Sequence, residues 1–153
     1  MLPKSDKVLS EKFMQMLFVV HYNFFRKTTI PIPANHFGVL LVLRDLGPAT
    51  ISEISLYLCM SKQQMTPIIN KLVKSSLLSR TTPPEDRRCT LLDLTEKGKA
   101  ILIGHNEQVR QLFETGLSKL PPKEATSFGN SMDIFISGIK RMFPLPETKD
   151  KEQ

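Results

Sequence analysis

The side chains best suited to chemistry lie between Ser61 and Thr95, and their chemistry is recognition. Over Ser61–Lys74 the apolar residues Met65, Ile68, Ile69 and Leu72 recur at the spacing of one helix face. At about 100° per residue, the opposite face carries Gln63, Pro67, Asn70 and Lys74, flanked by Gln64, Thr66 and Lys71. That face holds amides and cations and no carboxylate. Gln and Asn can pair bidentately with adenine, Thr and Pro can meet a thymine methyl, and Lys can neutralise phosphate. An amphipathic helix with a merely solvated polar face would show the same periodicity. The residues beyond Lys74 separate the two readings. Leu78–Thr82 and Cys89–Leu94 are β-compatible runs flanking a tip of Pro83, Pro84, Glu85, Asp86, Arg87 and Arg88. From Ser61 to Arg88 there are six basic residues against two acidic ones, a local surplus of four positive charges. A positive helix beside a positive hairpin suits a polyanionic duplex.

These elements need positioning. Ser61 with Gln64 reads as a capping box that starts the helix. Upstream, a long helix is expected over Val8–Lys27, so apolar around its circumference that it must bury two faces. One can cover its own domain; a second copy of the chain is the simplest cover for the other. Pro31 and Pro33 stiffen the connector to a helix ending at Leu46, where Gly47-Pro48 stops it. Ala49-Thr50-Ile51 could add a third strand to the hairpin, and Ser52 could cap a short helix over Glu53–Leu58. Thr95 caps a helix over Glu96–Gly116, Leu117–Pro122 turns the chain, and a last helix runs over Lys123–Phe143. The polar tail from Pro144 reads as disordered.

The run ISEISLYLCMSKQQMTPIINKL, the wing pattern Asp86-Arg87-Arg88 and the succeeding Leu94-Thr95-Glu96-Lys97-Gly98 resemble the multiple antibiotic resistance regulator (MarR) family, most specifically over Phe37–Lys99. The resemblance implies a mainly α fold with a small β-hairpin wing. Residues 34–99 form a winged helix-turn-helix domain for DNA, 1–33 and 100–143 form dimerisation helices, and 144–153 a tail. It implies a DNA-binding transcriptional regulator, most often a repressor, that grips a pseudo-palindromic operator as a homodimer and is released by a small-molecule effector. Lys62, Gln63, Gln64, Thr66, Pro67, Asn70, Lys71, Lys74, Asp86, Arg87 and Arg88 are the expected DNA contacts. Arg88 would enter a narrow minor groove, with Asp86 orienting it. An effector pocket would draw on His21, Phe25 and Phe37. Family members usually have Gly where Cys59 and Ser76 stand.

Net charge +6 and a pI near 9.4 fit a polyanionic partner. The polar start of the chain offers no secretory leader, and the run Phe13–Phe25 is shorter than the roughly 20 residues of a bilayer span. No membrane partner and a cytoplasmic location are therefore expected, with Cys59 and Cys89 as reduced thiols. No cofactor or metal is expected: Val109 stands four residues after His105, where some relatives place the second histidine of a zinc pair. No catalytic constellation is visible, so the chain is not read as an enzyme. Two alternatives remain open: a redox-sensing regulator using Cys89 or Cys59, and a winged-helix module that binds protein instead of DNA.

Overall fold

The computed structural model describes residues 4–84 and 88–144, apart from the side chains of residues 4–6 and Phe25. In chain order it comprises α1 (Lys4–Val20), a π-helical segment (His21–Phe25), α2 (Ala34–Leu46), α3 (Ile51–Tyr57), α4 (Lys62–Lys74), β1 (Leu78–Thr81), β2 (Leu91–Leu94), α5 (Glu96–Leu117) and α6 (Pro122–Met142). The strands pair antiparallel, with Leu78 opposite Leu94 and Thr81 opposite Leu91. The result is mainly helical with one small hairpin, as the sequence predicts.

The core belongs to the middle of the chain. Leu40, Leu43, Ile54, Met65, Ile69, Leu72, Leu78 and Leu92 are all fully buried. They come from α2, α3, α4 and both strands, so one apolar cluster fixes the helix pair and the hairpin together. Burying each such side chain is worth roughly 1.5–3 kcal/mol. The long terminal helices contribute nothing comparable. α6 buries no residue, and Phe18 and Ile134 are 68% and 73% exposed. Phe13 stacks on Phe135 across α1 and α6, and an apolar groove of about 600 Å³ runs between α1 and α5–α6 past Met16, Phe24, Leu112 and Phe128.

Several local expectations change. The first helix leaves α geometry at Val20, and the five-residue π segment takes its place up to Phe25. The cap of α3 is Thr50 and not Ser52. Its hydroxyl accepts from the Glu53 N–H at 3.2 Å, while the Glu53 carboxylate accepts from the Thr50 N–H at 2.7 Å. That reciprocal pair satisfies two donors at once and starts the helix earlier, at Ile51. The third strand therefore shrinks to a single bridge, Ala49 to Leu92, bonded in both directions at 3.0 and 2.8 Å. The hairpin strands are shorter than expected, ending at Thr81 and beginning at Leu91. α5 runs one residue further than predicted, to Leu117, and α6 is shifted one residue towards the N-terminus, with Pro122 in its first turn. The tail beyond 144 lies outside the described residues.

Candidate nucleic-acid interface

α4 is built from its ends inward. The Ser61 hydroxyl accepts from the Gln64 N–H at 3.2 Å, and the Gln64 side-chain oxygen accepts from the Ser61 N–H at 3.0 Å. Cys59, at φ 49°, turns the chain from α3 into this cap. Ser76, at φ 58°, turns it out of α4 into β1. Both stand in the left-handed region that costs any residue with a Cβ. They are the two positions where the resemblance leads one to expect Gly, and the turns keep their geometry without it.

Between those turns the helix divides as its periodicity predicts. Met65, Ile68, Ile69 and Leu72 are buried, while Lys62, Gln63, Gln64, Thr66, Pro67, Asn70, Lys71 and Lys74 are exposed. Pro67 cannot donate to the Gln63 carbonyl, yet the helix continues to Lys74. The exposed residues are not equally available. The Gln64 oxygen is engaged in the cap, and the Thr66 hydroxyl donates to the Lys62 carbonyl at 2.7 Å. The Asn70 side-chain oxygen accepts from Arg80 Nη2 in β1 at 2.7 Å. In the sequence Arg80 registers only as one more positive charge; the fold gives it a specific partner.

At the hairpin, Arg88 is exposed. Asp86 and Arg87 lie outside the described residues. The hairpin's base is tied to α4 and α5 by one compact knot. The Thr95 hydroxyl accepts from the Gly98 N–H at 3.1 Å and donates to the Ser76 carbonyl at 2.7 Å. The Thr95 N–H donates to the Leu77 carbonyl at 3.1 Å, and Lys97 Nζ donates to the Ser75 carbonyl at 3.0 Å. Gly98 is required here: a Cβ on it would stand 2.3 Å from the Leu77 carbonyl oxygen.

Of the three residues named for an effector pocket, the structure describes the side chains of two. His21 is exposed on the π segment, the Phe25 side chain is not described, and Phe37 is buried edge-on to the His105 ring with centroids 4.8 Å apart. His105, which lacks the second histidine of a zinc pair, has a buried Nδ1 with no hydrogen-bond partner among the described residues. Nearby, the Thr29 N–H donates to the Gln108 side chain at 3.0 Å, joining the α1–α2 connector to α5. His36, beside Lys71, has its pKa lowered by partial burial and then by that lysine's charge. Cys59 is exposed and Cys89 half-buried, both as free thiols. Among the described residues no group of three or more His, Cys, Asp or Glu could hold a metal, and no helix is long and apolar enough to cross a membrane.

A helix pair joined by a left-handed turn, an outward polar face on its second helix and an adjoining hairpin define a winged helix-turn-helix. Residues 32–90 match the model of the MarR family. The HTH-type transcriptional repressor IacR of Pseudomonas putida is 24% identical over 148 residues, covering 92% of this chain and 87% of IacR. The HTH-type transcriptional regulator YpoP of Bacillus subtilis is 30% identical over 79 residues, covering 52% of this chain and 56% of YpoP, so that match spans little more than half of the relative. The crystal structure of the transcriptional regulator Tm0710 from Thermotoga maritima shares the fold, with a TM-score of 0.73 at 22% identity over 92% of this chain and 99% of that one. Residues 32–90 therefore carry a MarR-type domain, and the curated relatives that match the chain are HTH-type transcriptional regulators.

Proposed function

We propose that this regulator is a repressor that binds a pseudo-palindromic operator as a homodimer and is released by a small-molecule effector. The observation that carries the reading is the division of α4: eight polar or compact side chains without a carboxylate face outward, while the opposite face is locked into the core. Such a helix can enter a major groove without burying an acidic group against phosphate. Lys62, Lys71 and Lys74 take phosphates, and Gln63, Thr66, Pro67 and Asn70 meet base edges. Arg88, with Asp86 and Arg87, takes the flanking minor groove.

Residues 1–33 and 100–143 form the dimer. Their support is the exposed apolar surface of α1 and α6, which one copy leaves uncovered. Two recognition helices then meet successive major grooves about 10 base pairs apart. The effector sits where α1, the α1–α2 connector and α5 meet, near His21, Phe25, Phe37 and His105. It favours dimers whose reading heads are wrongly spaced. IacR is named a repressor, which supports repression as the direction of control.

The test is fluorescence anisotropy with duplex from upstream of the protein's own gene, against a scrambled duplex, at two salt concentrations. An advantage of about a thousandfold for the upstream duplex, with affinity falling as salt rises, is expected. Absence of binding to any duplex at low salt would overturn the reading in favour of a protein-interaction module.

A further inference from the structure

We propose that Arg80 is a specificity-determining residue, which fixes the base that Asn70 reads as guanine. The inference rests on the reading that α4 enters a major groove. Asn70 lies on the exposed line of α4 with Gln63, Pro67 and Lys74, and Arg80 is exposed on β1 beside it. Arg80 Nη2 stands 2.7 Å from Asn70 Oδ1. A guanidinium has only donors, so the end of the carboxamide that meets it must be the oxygen. The amide is thereby oriented across two elements, helix and hairpin.

A free Asn side chain presents one donor and one acceptor, the pattern that matches adenine N6 and N7. Here a cation occupies the acceptor end. One lone pair of Oδ1 is left, beside a full positive charge that disfavours a further donor and favours an acceptor. The groups turned to a base are chiefly donors, the Nδ2 amino group and the other N–H groups of Arg80. Guanine offers two acceptors, O6 and N7, whereas adenine offers one acceptor and one donor. The Asn70–Arg80 pair therefore complements guanine and opposes the adenine amino group. Taken alone, Asn70 points to adenine; held by Arg80, it points the other way.

The experiment is selection from a randomised duplex library with the full-length chain, in wild-type form and as Asn70→Ala, Arg80→Met and Asn70→Asp, and then measurement of affinities for the guanine and adenine versions of the site. The position whose preference disappears in Asn70→Ala is the one that Asn70 reads. At that position the wild type should favour guanine by about tenfold or more. Arg80→Met should move the preference to adenine and leave the other positions unchanged. Asn70→Asp keeps the partner of Arg80 but removes the amide donors, and it should lose the guanine preference without needing Arg80 to change.

Wild-type preference for adenine at that position overturns the proposal and leaves operator binding intact. So does an Arg80→Met variant that binds all sequences more weakly with an unchanged preference, the signature of a phosphate contact alone. Absence of any sequence enrichment by the wild type overturns both this proposal and the operator-binding reading.

Discussion

The stretch from Phe37 to Leu102 supplies every buried apolar side chain among the described residues, whereas α1 and α6 supply none. The two regions have similarly apolar residues, but only the first closes a core within one copy. The middle of the chain is a finished reading head. The terminal helices carry Phe13, Phe18, Phe128, Phe135 and Ile136 partly or largely in solvent. Their uncovered apolar surface supports the proposed association, and the contrast separates what one copy closes by itself from what it leaves open.

That contrast is broken most readily at the terminal helices. Replacing both Phe135 and Ile136 by Glu should weaken self-association by at least about thirtyfold, as loss of buried interface anchors does. Sedimentation should show monomer while far-ultraviolet dichroism keeps the reading head's helices. A double variant that remains a dimer would place the interface elsewhere. Within the head, Gly98→Ala should lower stability by up to about 3 kcal/mol, because helix and Leu77 backbone must separate. Thermal unfolding reads that loss, and an unchanged melting temperature would contradict the close approach. Thr95→Val should cost about 1 kcal/mol through the lost cap. It also removes the tie to Ser76, so DNA affinity should fall at a temperature where the variant is still folded.

The smallest effect concerns His36. Its folded-state pKa lies below the ordinary 6.5, so the unfolded chain binds its proton more readily. The stability it contributes is present above about pH 6.5 and lost as pH falls through the folded value. His36→Gln should flatten that dependence in denaturant melts between about pH 5 and pH 7.5, by less than about 1 kcal/mol because solvent still screens a group that is only partly buried. An identical slope in the variant would assign the acid sensitivity to other groups.

Much of the head is legible in the sequence because its signals are local. Met65, Ile68, Ile69 and Leu72 declare a face by spacing, and Ser61 with Gln64 declares the helix start. The Thr50–Glu53 box is equally visible, yet Ser52 directly adjoins the expected helix and competes with Thr50 as its cap. The π segment leaves no such mark: His21–Phe25 continues an apolar run that an α-helix would fit as well. Contacts between distant residues are beyond the reach of any periodicity. Phe37 meets His105, Thr29 meets Gln108, and Arg80 meets Asn70 only after the chain folds back on itself. The family resemblance marks Cys59 and Ser76 as departures, and their positive φ explains why glycine is favoured there.

The knot at Thr95 has a mechanical consequence. Ser75, Ser76 and Leu77, at the exit from α4, are bonded to the first residues of α5, so α4 and α5 have little freedom to move separately. α5 is 22 residues, about 33 Å long, and in the proposed dimer it acts as a lever arm with the reading head at its tip. A tilt of about 5° at the far end would swing the head by roughly 3 Å, close to the roughly 3.4 Å rise of one base pair. A small displacement at the Leu117 end of α5 would thus be enough to put one head of the proposed dimer a full step out of register with its twin.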